Sequence, residues 1–463
     1  MRASVPNTNS FSIRSYPAIF AVMMVLVMTV LDGTIVNVAL PVLASEFGVS
    51  DSNAVWIVTI YQLIITMLLI PVSAIGDKGS YRLTFLTGTL IFTVASIGCA
   101  LSPNFEWVLT TRALQGVGAA CVMGVNIALT RLIYPKKVLG RGLALNAMVI
   151  AISTAAGPTI AGSVLSVASW HWLFLINIPF GIAAFLIGKA KLPENPQNDK
   201  ESYGKKGFDW ISALENMVVF GLLFYALGMF SRKGNPWLAT ALLTIGLVVG
   251  VAYIKRQLGL KDPMLPVDLF RSKLFSLSIL TSVGSFIAQN IAMISLPFLF
   301  HDRYGFSEIT TGLLMTPWSL ATMAVSPIAA RFVEKHNPEK TAAFGMGVYA
   351  VGIILLLLLP DSGASAWQIA WRMALCGIGF GMFQTPNNIV MVIATPIRRS
   401  GSAGGMQSTA RLVGQTLGAT IVTMVFAVCA FEVSISCCLY TAMTFAILAG
   451  AFSISRKSSE HLL

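Results

Sequence analysis

From Gly142 to Gly188 the chain reads GLALNAMVIAISTAAGPTIAGSVLSVASWHWLFLINIPFGIAAFLIG, with no Lys, Arg, Asp or Glu anywhere in it. A membrane span takes about 20 mostly apolar residues. The stretch is therefore too long for one helix and long enough for two. Ser169-Trp170-His171-Trp172 is the natural place for the turn, because aromatic side chains suit a membrane interface. Lipid tolerates only helices and closed barrels, which satisfy every backbone polar group internally. Barrel strands alternate apolar and polar residues; this run does not, so it predicts a helical pair.

The rest of the chain has the same character. Of its 463 residues 56% are hydrophobic and 11% charged, against about 25% charged in a soluble domain. That excludes a soluble enzyme, a disordered chain, a coiled coil and a secreted disulfide scaffold as descriptions of the whole. Fourteen spans can be read, at 16–43, 53–75, 83–101, 107–130, 142–166, 171–189, 209–230, 236–255, 274–300, 312–331, 341–359, 366–393, 402–429 and 433–455. The first is expected to be retained rather than cleaved as a signal peptide. The net charge of +12 invites a nucleic-acid reading, but the basic residues sit in short clusters between apolar runs. With the N-terminus inside, 25 of the 31 Lys and Arg fall in inner segments, 3 in outer loops and 3 within spans. Cytoplasmic loops carry such an excess. Both termini are therefore expected in the cytoplasm, with an even number of spans between them.

The chain repeats itself. Trp107-x4-Arg112 leads to Gly116-x-Gly118, and Trp367-x4-Arg372 leads to Gly377-x-Gly379; Gly157-Pro-Thr-Ile-Ala is matched by Gly418-Ala-Thr-Ile-Val. The matches fall in the fourth and twelfth and in the fifth and thirteenth spans. They predict parallel six-helix halves at 1–189 and 259–463, a polar linker at 190–208 and two inserted helices at 209–258. Such halves, with a site at their midplane interface, are a secondary-transporter design. There is no Walker A pattern, the four histidines are scattered, and the six cysteines lie in apolar segments without metal spacing. No metal, cofactor or enzymatic chemistry is expected; the energy source would be an ion gradient.

Charged residues within spans are expensive and serve as functional candidates by default. Asp32 and Arg112 lie at similar depths in the first and fourth spans, where they can meet. A carboxylate whose surroundings alternate between wet and dry suits proton coupling; a static structural pair is the plainer alternative. Arg112, Gln115, Ala119 and Asn126 share one helical face, as do Gln407, Arg411, Gly414, Gln415 and Gly418. With Gln289 and Asn290, these polar positions are candidates for a substrate cavity, or for polar helix–helix packing. Arg411 admits two readings: it braces the halves through Gln407, Gln415 and backbone carbonyls, or its charge faces the cavity and favours neutral or anionic substrates. In Gly157-Pro158-x-x-Ala161-Gly162, small residues permit close helix approach and the proline permits bending.

These residues resemble the major facilitator superfamily, and in particular its fourteen-helix drug/proton antiporter branch. Leu31-Asp32-Gly33-Thr34-Ile35-Val36-Asn37-Val38-Ala39-Leu40-Pro41 is similar to that branch's first-helix signature. Gly76-Asp77-Lys78 to Arg82 is similar to the superfamily's loop motif, which latches neighbouring helix ends. Arg112-Ala-Leu-Gln115-Gly116-x-Gly118 is similar to the motif assigned to proton transfer. Ser153 to Gly162, with Gly157-Pro158, is similar to the antiporter motif. Trp170-His171-Trp172-x-Phe174-x-x-Asn177-x-Pro179 is typical of the fourteen-helix branch. The resemblance implies proton-driven export of small amphipathic compounds across a bacterial cytoplasmic membrane. Its partners would be a small-molecule substrate, protons and lipid, with no nucleic acid, and a monomer is the expected state. An importer or exporter of a specific metabolite is the alternative, and a non-transporting sensor a more remote one.

Overall fold

The computed structural model describes residues 16–134, 139–194, 208–231, 235–260, 263–265, 267–333, 337–360, 363–393 and 400–456. Most of the expected linker, the basic residues of the first segment and the Lys78 side chain lie outside the described residues. Among the described residues fourteen long helices are present: α1 Tyr16–Glu46, α2 Trp56–Lys78, α3 Tyr81–Ala100, α4 Phe105–Ile133, α5 Leu139–Val167, α6 Asn177–Lys191, α7 Trp210–Ser231, α8 Pro236–Gly259, α9 Lys273–Phe298, α10 Glu308–Val333, α11 Pro338–Leu357, α12 Ala366–Ile393, α13 Ser400–Val428 and α14 Phe431–Ile454. Thirteen segments of the described residues are long and apolar enough to cross a membrane. The one outside that set is α12, whose Gln368, Arg372, Gln384, Asn387 and Asn388 dilute its hydropathy.

The turn between α5 and α6 falls where the aromatic cluster predicts, but Trp170 is not an interfacial residue. It is buried, with its ring 5.3 Å from that of Phe47 and 3.8 Å from His171. Trp172 is the one that stays exposed.

Helix neighbours repeat between the halves. In the first, α3 packs on α4 and α6, α2 on α4, and α1 on α5 and α6. In the second, α11 packs on α12 and α14, α10 on α12, and α9 on α13 and α14. α12 thus holds the place of α4, so it spans despite its polarity. Glycines explain the tightest matched crossing. A Cβ at Gly88 would lie 2.9 Å from the carbonyl oxygen of Gly118, and one at Gly345 would lie 2.7 Å from that of Gly379. Only glycine lets two backbones approach so closely.

The halves meet along two equivalent seams, α5 on α10 and α13 on α2. α7 and α8 form a hairpin outside them. Arg256 clips the hairpin by ion pairs to Asp209 (2.9 Å) and Glu215 (3.1 Å). Asn216 Nδ2 ties α7 to α2 by donating to the Met67 carbonyl at 2.8 Å.

Candidate functional site

Asp32 sits near the middle of α1 with only 2% of its surface exposed, and Arg112 of α4 is fully buried. The two meet: Arg112 Nη1 donates to Asp32 Oδ2 at 2.5 Å. Gln115 Nε2 and Asn177 Nδ2 donate to Asp32 Oδ1 at 3.1 and 3.0 Å. The carboxylate therefore accepts from three side chains on two other helices. Arg112 is held in turn by the Ile57 carbonyl (3.1 Å) and by Gln115 Oε1 (2.7 Å). Ser96 Oγ of α3 accepts from Gln115 Nε2 at 2.8 Å. A buried charge persists only when paired and hydrogen-bonded, and five helices of one half supply those partners. Within this cluster, Arg112 Nη2 is buried without a hydrogen-bond partner among the described residues.

Beside this cluster lies a central cavity between the halves. α1 lines it with Thr29, Gly33, Thr34 and Asn37, and α2 with Tyr61 and Gln62. The second half adds Gln289, Asn290, Arg411 and Gln415. Asp32 is not among the lining residues, because the α1 face that lines the cavity points away from the carboxylate. Tyr61 belongs to both places. Its ring lines the cavity, and the Arg112 guanidinium carbon stands 4.2 Å from its centroid. A cation over an aromatic face is attracted by the ring quadrupole. The Tyr61 hydroxyl donates to the Thr29 carbonyl at 2.9 Å and fixes the ring.

The polar residues expected in the cavity divide. Gln289, Asn290, Arg411 and Gln415 reach it. Gln115 and Asn126 do not. Their shared face on α4 turns into its own half, where Gln115 braces the Asp32 pair and Asn126 is buried; Met123 is what α4 contributes to the cavity wall. Gln407, one turn before Arg411, is half-buried and does not line the cavity. Arg372, the repeat counterpart of Arg112, makes no ion pair among the described residues. Its Nη1 donates to the Gln368 carbonyl of its own helix, and its guanidinium lies 4.4 Å from the Trp371 ring centroid. The repeat is one of backbone, then, and among the described residues the buried ion pair has no counterpart at Arg372. Asn177, Tyr61 and Ser96 were not assigned roles from the sequence; Asn177 was within reach, because the aromatic motif after α5 contains it.

Gly157 and Gly162 lie at helix contacts. Gly157 abuts Thr34 of α1, so any Cβ there would collide with the threonine hydroxyl. A Cβ at Gly162 would lie 2.6 Å from the Glu308 carbonyl oxygen of α10, and one at Gly312 would strike the Pro158 carbonyl. Thr159 and Thr316 hydrogen-bond across the same seam. On the other seam Thr66 and Thr416 hydroxyls are 3.1 Å apart, and Ser52 donates to the Thr423 carbonyl at 2.9 Å. These contacts hold the halves together from the middle of the helices to the face opposite the chain termini. Near the terminal face, Asp77 accepts from the Tyr81 hydroxyl at 2.8 Å, and Gly76 packs on Val125 of α4. Arg82 pairs with Glu194 beyond α6 at 3.2 Å and also bonds the Lys189 carbonyl.

A two-fold bundle of membrane helices, with a polar cavity at the interface of its halves and a buried ion pair beside it, is the architecture of a multi-pass membrane transporter. The chain belongs to the Major Facilitator Superfamily, whose profile matches residues 22–419. It is 46% identical to the uncharacterized transporter YebQ of Escherichia coli K12 over 88% of each chain. It is 28% identical to the riboflavin transporter RibZ of Clostridioides difficile, over 86% of each chain. It is 29% identical to the multidrug resistance protein Stp of Mycobacterium tuberculosis, over 87% of this chain and 74% of that one. The chain is accordingly a transporter and not an enzyme.

Proposed function

We propose that the protein is a proton-coupled exporter of small amphipathic compounds, of the fourteen-helix drug/proton antiporter branch, in a bacterial cytoplasmic membrane with both termini inside. The observation that carries this reading is the Asp32–Arg112 pair, a buried carboxylate set one side chain away from the cavity. Similarity to Stp supports it. With the termini inside, the contacts at the opposite face make this an inward-facing arrangement, closed towards the outside.

Protonation is coupled to movement through Arg112. Neutralising Asp32 strips a fully buried guanidinium of its counter-charge, and breaking a buried pair by removing one partner costs about 3–5 kcal/mol. The cost falls if helices shift so that water or another acceptor reaches Arg112. A proton taken up on one side is thereby linked to a change in the seams, and its release on the other side restores the pair. Gly157-Pro158 is placed to pass that shift on, since Gly157 packs on Thr34, two residues from Asp32, and Pro158 touches Gly312 of the opposite half. The latch residues Gly76, Asp77, Lys78 and Arg82 would set the relative stability of the two end states.

A second reading, transport of a specific metabolite, draws on RibZ, to which the chain is about as similar as it is to Stp. Transport in proteoliposomes under an imposed pH gradient separates the two. A chemically mixed substrate panel that includes riboflavin is used. Gradient-driven movement of several unrelated amphiphiles supports the exporter; movement of one metabolite alone supports the second reading. Transport indifferent to the gradient refutes proton coupling.

A further inference from the structure

The central cavity holds a cation and, among the described residues that line it, no acid. Arg411 is half-buried on α13, lines the cavity, and has no hydrogen-bond or ion-pair partner among the described residues. It stands near the middle of a 29-residue helix, far from either polar surface. A guanidinium at that depth is costly unless it is paired or hydrated. Asp32 is spoken for by Arg112, Gln115 and Asn177 and faces elsewhere. Around Arg411 the cavity offers further uncharged donors. Gln415 lies one turn along the same face of α13, and Gln289 lines the same cavity from α9. Asn290 is already committed, its Nδ2 donating to the Gln415 carbonyl at 2.6 Å, which fixes the backbone that carries Gln415. The lining also includes apolar side chains, Met123, Met293, Met315 and Ile65 among them, beside hydroxyls such as Thr34 and Ser319.

We infer that this cavity is a binding site for organic monoanions, with Arg411 receiving a carboxylate or sulfonate, the two glutamine amides assisting, and the methionine walls taking the apolar body. A guanidinium is the side chain best shaped to donate two parallel hydrogen bonds to a carboxylate. The flexible thioethers accommodate varied ring systems. The inference rests on the transporter reading for the cavity's role and narrows its substrate class.

The test is equilibrium binding to the full chain in nanodiscs without any gradient, using two probes of one shape and opposite charge, 2-naphthoate and 2-naphthylmethylammonium. The wild type is expected to bind naphthoate about tenfold or more tightly than the amine, as a charge-assisted bidentate contact implies. Arg411→Gln should abolish that preference, and Arg411→Lys should restore it in part. Thermal unfolding of each variant is followed in parallel. If Arg411→Gln is unstable, Arg411→Lys carries the comparison, with a reduced but surviving anion preference expected. Equal binding of both probes by the wild type, binding of neither, or a naphthoate preference untouched in Arg411→Gln overturns the inference. Anion-selective binding without gradient-driven transport would overturn the export reading and leave this one standing. Gradient-driven transport with no anion preference would do the reverse.

Discussion

Tyr61 and Arg112 stack, ring centroid to guanidinium carbon 4.2 Å apart, so that one aromatic side chain forms both the wall of the cavity and the cover of the buried ion pair. In the proposed mechanism substrate and proton would occupy separate compartments that share this partition. In the proposed cycle the ring would block a water path from the cavity to Asp32, which would otherwise let the carboxyl exchange protons without cargo.

Tyr61→Ala should open that path. Proteoliposomes carrying it, with a pH-sensitive dye inside, are expected to collapse an imposed gradient without any substrate, whereas the wild type holds it. Tyr61→Phe keeps the stacked ring and loses only the bond to the Thr29 carbonyl, worth about 0.5–1.5 kcal/mol. It should stay tight to protons and transport within about tenfold of the wild type. A leak-free Tyr61→Ala would reduce the ring to ordinary packing.

Gly157→Leu forces a side chain into Thr34 at the contact between α5 and α1. Overpacking a tight contact costs about 1–3 kcal/mol, and here the strain falls on α5, the helix that also forms the seam with α10. Turnover is expected to fall more than substrate affinity. Proportionate losses in both, or none, would assign the glycine to static packing.

The α7–α8 hairpin should be dispensable to the cycle. Arg256 and its partners Asp209 and Glu215 are 24–30% exposed, and such pairs contribute about 0–1 kcal/mol each after screening. Arg256→Gln is therefore expected to lower Tm slightly and to leave transport within about twofold. The Asp209 carboxyl is held below its ordinary 3.8: partial burial opposes ionisation but is outweighed by hydrogen bonds from Ser212 and by the Arg256 charge. A depressed folded-state value stabilises above the ordinary range and is lost as pH falls through the lowered value. The Tm gap between wild type and Arg256→Gln should accordingly be present at neutral pH and close below about pH 3.8. A large transport defect at neutral pH would bring the hairpin into the mechanism.

Much of this was legible because membrane helices announce their length and depth. Asp32 and Arg112 lie at similar depths in the first and fourth spans, and they meet. The charge-free run 142–188 contains its turn. What depth and periodicity do not encode is which neighbour a helical face meets. Arg112, Gln115 and Asn126 share a face, but α4 sits behind α1 and α2, so that face serves the half's own interior and leaves Met123 to the cavity. Trp170 looked interfacial because the turn is, yet Phe47 and Phe174 enclose it. Tyr61 escaped notice because an isolated tyrosine in an apolar span carries no pattern; only its place between two sites reveals a role.

The most direct measurement is gradient-driven transport by Asp32→Asn, alongside the double variant Asp32→Asn/Arg112→Gln. The single change keeps the shape, removes the acid and leaves Arg112 uncompensated; it should abolish proton-driven transport and lower thermal stability, by about 3–5 kcal/mol for a buried charge left alone. The double variant removes that charge as well and should recover stability without recovering transport. Undiminished proton-driven transport by either variant would contradict the account, because no other acid among the described residues stands beside the cavity in this arrangement.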